Sequence, residues 1–214
     1  MLGASRPRIV IADDHTLIAD AFHKLLEKQF EVVATVHDGH SLMQAARKLH
    51  PDVILVDIGM PLLNGLEAAQ RIKRTLPEVK IIYVTINRDP DLVAEAFRGG
   101  ASGYLLKTAA ASELMSAIYQ ALNGECYLSP QLQPVGIDSK AKRSELVPEA
   151  QLTDRQVDVL QLLAEGRSMR EAASVLNLTA RTVAFHKYRI MENLHLRNDA
   201  EVVRYALRHH VVFG

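Results

Sequence analysis

The stretch VILVDIGMPLLNG, residues 53–65, drives four apolar residues of strand type into one acid, Asp57, and then into a Met60-Pro61 step and Gly65. A charge kept for solubility belongs on a helix face or a loop tip. A carboxylate at the C-terminal end of an apolar strand stands where open α/β sheets place their chemistry. The surrounding chain fits such a sheet. The runs RIVIA 8–12, EVVATV 31–36, KIIYVT 80–85 and GYLLK 103–107 are short, β-branched and nearly continuous in apolar character. That is the pattern of parallel strands buried on both faces. Between the runs, apolar residues recur three and four apart, as in Leu17, Ala21, Leu25 and again in Leu42, Ala45, Ala46, Leu49. Five strands alternating with five helices predict an α/β doubly wound, five-stranded parallel sheet. Right-handed crossovers then bring every strand's C-terminal end to one edge.

Length and composition set the frame. A chain of 214 residues suits two domains, and 48% hydrophobic content supplies a core and argues against disorder. Cys126 is the single cysteine, which excludes a disulfide framework and a cysteine zinc site and suits a reducing cytoplasm. No apolar run approaches the ~20 residues of a membrane span, and the N-terminus MLGASRPRIV has no apolar core of a secretion signal. The formal net charge of zero hides a split. Residues 1–128 carry 13 Lys+Arg against 15 Asp+Glu, residues 129–150 carry 3 of each, and residues 151–214 carry 9 against 7. The change of sign points to two partners of different charge.

Residues 129–150, SPQLQPVGIDSKAKRSELVPEA, hold three prolines without a sustained period and read as a linker, with a short helix expected at SKAKRSEL. Residues 151–214 read as an all-α domain of four helices. Thr153–Gln156 and Ser168–Glu171 each fit a capping box, Thr179 starts a third helix with Leu178 and Val183 as its hydrophobic staple, and a fourth runs from about Asp199 to His210. Gly166 sits just past the apolar pattern of the first, as a C-terminal cap should. The stretch SMREAASVLNLTARTVAFHKYRIMENL is then a short helix, a turn of three to four residues and a longer helix, which is helix-turn-helix spacing.

The strand ends carry the chemistry. Asp13 and Asp14 follow the first strand, Asp57 the third, Thr85 ends the fourth and Lys107 the fifth. The fold brings all five to one pocket. Close carboxylates raise one another's pKa unless a cation sits among them, and small, hard Mg²⁺ suits an oxygen-rich site. A neutralised Asp57 can act as nucleophile toward a phosphoryl group and form an aspartyl phosphate. Lys107 would neutralise the developing charge and Thr85 would hydrogen-bond a phosphoryl oxygen.

With these residues in place, residues 8–123 resemble a response-regulator receiver domain, on the acid pair at 13–14, DIGMPLLNG at 57–65, Thr85 and GYLLK at 103–107. Residues 152–210 resemble the LuxR-type helix-turn-helix, on LTDRQVDVLQLLAEG and LTARTVAFHKYRIMENL. Together they resemble a two-component response regulator of the NarL/FixJ type. The resemblance implies a flavodoxin-like strand order, a receiver over 1–128, a linker over 129–150 and a DNA-binding domain over 151–214. It makes Asp57 the phosphoacceptor for a histidine kinase. It assigns Mg²⁺ to Asp13, Asp14, Asp57 and the Gly59 backbone carbonyl, and it makes Thr85 and Tyr104 a switch pair. His15, beside the acid pair, is read as a bystander. The expected product is a cytoplasmic, phosphorylation-dependent transcriptional regulator that binds double-stranded operator DNA as a homodimer and has no enzymatic role beyond assisting its own phosphorylation and dephosphorylation.

Candidate DNA contacts lie on the helix about 180–193: Thr179, Arg181, Thr182, Ala184, Phe185, Lys187, Tyr188 and Arg189. Val183 and Ile190 are expected inside, and Val202, Val203, Ala206 and Leu207 on the last helix form the expected dimer surface. Several positions depart from the family pattern. Ile86 stands where a small residue opens the pocket and is expected to narrow it. Thr108 replaces the proline after Lys107, Gly59 leaves space beside Asp57, and Ala184 replaces a usual cation. These departures keep open a phosphotransfer or interaction module with weak or absent DNA binding, and a regulator that works without phosphorylation.

Overall fold

The computed structural model describes residues 6–109, 111–132 and 152–212. The chain divides into two compact units, Met1–Ala141 and Lys142–Gly214. The first holds strands β1 (Arg8–Ala12), β2 (Glu31–Val36), β3 (Val53–Val56), β4 (Lys80–Thr85), β5 (Gly103–Leu106) and β6 (Tyr127–Leu128), with helices α1 (Thr16–Leu26), α2 (Gly39–Leu49), α3 (Gly65–Thr75), α4 (Pro90–Arg98) and α5 (Ala111–Leu122). All strand pairs are parallel, in the order β2-β1-β3-β4-β5-β6. Period-2 alternation splits the strand side chains between two faces. On one face Ile9, Ile11, Val53, Leu55, Ile82, Val84 and Leu105 pack with Ala19 and Leu26 of α1 and Leu114 and Ile118 of α5. On the other, Val10, Ile54, Tyr83 and Tyr104 are buried. Central strands covered on both sides explain their unbroken apolar runs.

The sheet has one strand more than expected. Tyr127 and Leu128 pair with Gly103 and Tyr104, and a two-residue strand is too short to leave a periodic signal. The start of the expected linker also belongs to this unit. Ser129 is fully buried, its N–H donates to the Tyr104 carbonyl, and its hydroxyl accepts from the Leu106 N–H while donating to Glu113. Pro130–Leu132 form a 3-10 turn. The short helix expected at SKAKRSEL lies outside the described residues.

Among its described residues the second unit holds four helices, as expected: α6 (Asp154–Ala164), α7 (Met169–Leu176), α8 (Ala180–Asn193) and α9 (Asp199–Arg208). Both capping boxes form, at Thr153–Gln156 and Ser168–Glu171, and Thr179 caps α8 by accepting from the Thr182 N–H. Gly166 takes φ +83 just past α6, which a glycine adopts without strain. Asn177, at φ +54, ends α7 and leaves three residues of turn before α8. The core gathers Val159, Leu160, Leu162, Ala172, Leu176, Val183, Ile190, Val202 and Ala206. This corrects the expected dimer surface. Val202 and Ala206 face inward because α9 packs on α6, and of the four residues named only Leu207 is exposed.

Candidate functional site

The sheet ladder continues one residue past each strand and sets the site residues side by side. The Asp57 N–H donates to the Ala12 carbonyl, the Asp13 N–H to Val36, and the Lys107 N–H to Thr85. The turn after Asp57 clears the pocket mouth. Gly65 must be glycine, because a Cβ there would run into the Asp57 carbonyl oxygen as α3 starts. The Leu63 N–H donates to the Pro61 carbonyl at 2.8 Å across Leu62, whose φ is +68, so the loop closes through a γ-turn. A Cβ at Gly59 would meet nothing nearer than Asp57 Oδ2 at 4.0 Å, so the space beside the acid is open as expected.

Within the pocket, Lys107 Nζ lies 2.8 Å from Asp57 Oδ2 and 2.8 Å from Asp13 Oδ2, and all three side chains are buried. Burial alone would lower the ammonium's pKa. Hydrogen bonds to Asp13 and Asp57 outweigh that and hold it above the usual lysine range. Asp14 stands at the solvent edge. The acid pair does not serve α1 as a cap. His15 is the N-cap residue and makes no side-chain capping bond, while its N–H donates to Asp13 Oδ1. One oxygen or nitrogen from each of Asp13, Asp14, His15 and Asp57 falls within 4.8 Å of the others.

The expected switch pair meets on a residue that sequence reading passed over. The Asn87 N–H donates to Thr85 Oγ1 at 3.2 Å, and the Tyr104 hydroxyl donates to the Asn87 carbonyl at 3.1 Å. Tyr104 is fully buried, and burial followed by the Asp89 and Asp57 charges pushes its phenol well above the usual tyrosine range. Ile86 does not line the pocket wall as expected. It is 77% exposed, because Thr85 turns inward and the next residue must face out. The Lys107–Thr108 peptide is trans. His37, at the end of β2, also reaches the site by donating from Nδ1 to the Asp13 carbonyl. The strand-end logic that found the acids would have found His37 and Asn87 too.

On α8, Val183 and Ile190 are buried as expected, while Arg181, Phe185, Tyr188 and Arg189 are exposed. Thr179 is exposed and Thr182 and Ala184 are half-buried, and the two threonine hydroxyls bond each other at 2.9 Å. Arg189 pairs with Glu192 at 2.9 Å, its guanidinium 5.7 Å from the Phe185 ring centre. Lys187 departs from the expected outward set. Its side chain is 12% exposed and its ammonium lies 2.5 Å from Asp199, the first residue of α9. An acid at a helix N-terminus attracts a cation from the neighbouring helix.

The family model for the response regulator receiver domain matches residues 9–119, and that for bacterial regulatory proteins of the luxR family matches residues 150–206. The chain is a response regulator of the NarL/FixJ type. Among its relatives, transcriptional regulatory protein LnrK of Bacillus subtilis is 34% identical over 95% of this chain and 98% of the relative. Response regulator GacA of Pseudomonas aeruginosa is 30% identical over 96% and 97%. Of solved structures, the RcsB response regulator of Salmonella typhimurium aligns with TM-score 0.58 at 26% identity, covering 94% of this chain and 98% of that one. A structure of two RcsB dimers bound to two parallel DNAs gives TM-score 0.58 at 27% identity, with the same coverage. This response regulator therefore joins a receiver to a LuxR-type DNA-binding domain, as a regulator of transcription in a two-component system. No helix among its described residues is long and apolar enough to cross a membrane.

Proposed function

We propose that Asp57 accepts a phosphoryl group from a histidine kinase, and that phosphorylation changes the affinity of this regulator for paired DNA half-sites bound as a dimer in the cytoplasm. One observation carries the reading. Lys107 reaches from the end of β5 to hold both Asp13 and Asp57, at 2.8 Å each, where the sheet gathers its strand ends. The oxygen-rich donor set, already occupied by an ammonium, suits a hard dication. Asp13, Asp14, Asp57 and the Gly59 carbonyl would hold Mg²⁺, which when bound neutralises the carboxylates and polarises phosphoryl oxygens. An Asp57 oxygen attacks phosphorus in line, and the new O–P bond forms as the P–N bond to the kinase imidazole breaks, with the electron pair leaving on nitrogen. Lys107 follows the negative charge from Asp13 to the phosphoryl oxygens. Thr85 turns its hydroxyl to donate to one of them and gives up the Asn87 N–H. That frees the loop whose carbonyl Tyr104 holds, so the event in the pocket reaches the outer face of α4 and β5. The open space beside Gly59 admits the water that later hydrolyses the acyl phosphate, which is the regulator's own assistance to its turnover.

The DNA half of the proposal rests on α8, with Arg181 and Arg189 as phosphate contacts and Phe185 and Tyr188 offering apolar and hydroxyl contact to base edges. Two observations favour a weaker reading, an interaction module. Ala184 supplies no cation, and Lys187 is held by Asp199. The test has two arms. Asp57→Asn should lose all acid-labile labelling by a small phosphodonor, as should the wild type stripped of Mg²⁺. A DNA-shift assay in rising salt should show wild-type binding that labelling alters. Undiminished labelling of Asp57→Asn moves the phosphoacceptor elsewhere, and no salt-dependent shift at all transfers the conclusion to the interaction module.

A further inference from the structure

Ser129 carries a buried hydroxyl that the pocket chemistry does not use, and it stands where the parallel ladder between β5 and β6 ends. The rungs run from the Tyr127 N–H to the Ser102 carbonyl and from the Ser129 N–H to the Tyr104 carbonyl, at 3.0 Å each. In the same register the next rung would join the Leu106 N–H to the Ser129 carbonyl. That carbonyl is turned away and accepts instead from the Leu132 N–H at 2.9 Å, which starts the turn Pro130–Leu132. The Ser129 hydroxyl takes its place in the ladder. It accepts from the Leu106 N–H at 3.2 Å and donates to Glu113 Oε2 of α5 at 3.1 Å. Ser129 is fully buried and Leu106 is 1% exposed, so neither group has bulk water as an alternative partner.

The two β5 groups that Ser129 holds flank Leu105. They lie between Tyr104, whose phenol holds the Asn87 carbonyl, and Lys107, whose ammonium holds Asp13 and Asp57. A change of partner by Tyr104 or Lys107 displaces this segment of β5, and Ser129 is bonded to it on both sides of one residue. In the other direction the Ser129 carbonyl opens the turn that ends at Leu132, itself 3% exposed, and residues 133–151 lead on to the DNA-binding unit. We propose that Ser129 is a positioning residue that ties the root of the linker to the β5 segment between Tyr104 and Lys107, so that loading of Asp57 alters residues 127–132. The inference rests on reading Asp57 as the phosphoacceptor. It adds an outlet on the β6 side of the sheet to the one through Tyr104 toward α4. An alanine at 129 leaves the buried Leu106 N–H without its acceptor and cuts the tie nearest Lys107, whereas a threonine keeps the hydroxyl.

The test uses the full chain and hydrogen–deuterium exchange read by mass spectrometry over residues 127–132. Exchange is compared in Mg²⁺ alone and in Mg²⁺ with beryllium fluoride, which mimics a phosphoryl group on a carboxylate. Fluorine NMR reports whether Asp57 is loaded, with Asp57→Asn as the blank. In the wild type, loading should change exchange over 127–132 by at least about threefold. In Ser129→Ala the change should fall below about 1.5-fold although Asp57 still loads, and Ser129→Thr should restore it. Val53→Ala opens a cavity at the start of β3, at the far edge of the sheet, and controls for lost stability; it should keep the full response. If melting shows that Ser129→Ala does not fold, Ser129→Cys replaces it, with a poor acceptor in a similar space. The inference is overturned if the wild type loads and 127–132 do not respond, if Ser129→Ala responds like the wild type, or if Val53→Ala loses the response as Ser129→Ala does. Each of these leaves the phosphoacceptor reading standing. If beryllium fluoride does not load Asp57 at all, that reading falls together with the inference.

Discussion

Lys107 and Lys187 each hold an aspartate, and the two pairs differ in what surrounds them. Lys107 is walled in with Asp13 and Asp57, all three side chains no more than 7% exposed. Asp199, the partner of Lys187, is 76% exposed and looks into solvent. Inside the pocket each charge is costly without the others, because burial takes it out of bulk solvent. At the foot of α9 the ion pair competes with water on equal terms and contributes little. A signalling pocket gains from the first arrangement, since a new charge there forces neighbours to move. The helix proposed to face DNA would gain from the second, since cations on it must be free to change partner.

The contrast can be broken at four points. The largest effect is expected in the pocket. Lys107→Ala leaves two buried carboxylates uncompensated and should cost about 3–5 kcal/mol in urea unfolding without divalent ions. Adding Asp57→Asn should recover much of it. A loss below about 1 kcal/mol would make the pocket as well solvated as the surface pair. The pH dependence follows from the raised lysine pKa. The stabilisation is complete below the unfolded lysine value of about 10.4 and is lost as pH rises through the higher folded value. The gap between wild type and Lys107→Ala should therefore stay level from neutral pH to mild alkali and close only above that range.

Next in size is Tyr188→Ala, which should cut operator preference over random DNA by about 1–3 kcal/mol and leave the salt slope unchanged, because no charge is removed. An altered slope with intact specificity would mean that the outward face of α8 is rotated from the one described. Tyr104→Phe removes the bond to the Asn87 carbonyl and should cost about 1 kcal/mol in thermal or chemical unfolding. No change would separate Tyr104 from the loop that holds Thr85. Smallest is Lys187→Ala, expected to cost less than 1 kcal/mol of stability. Its effect on the slope of log affinity against log salt should be smaller than that of Arg181→Ala, which should lower the slope by about one. The reverse order would show that Lys187 leaves Asp199 for a phosphate in the complex.

How far the sequence reaches depends on the range of the interaction. Asp57 was legible because strand ends are local signals: an apolar run stops, an acid follows, and Gly65 permits the turn. The same holds for Thr153, Ser168 and Thr179, whose caps close within three residues. The alternation of strand and helix fixed the sheet edge on which the acids meet. What sequence could not show depends on neighbours far along the chain. β6 exists because two residues find the open edge of β5, and a strand that short carries no period of its own. Ile86 was expected against the pocket, and only the inward turn of Thr85 sends it to solvent. Lys187 and Arg181 share charge and helix, yet the foot of α9 captures only the lysine. Val202 and Ala206 face inward for the same kind of reason, the seat of α9 on α6. Periodicity, caps and strand ends are properties of the chain itself. Which side chain meets which across the fold is decided by packing, where burial and the nearest opposite charge select among orientations that are nearly equal in the free chain.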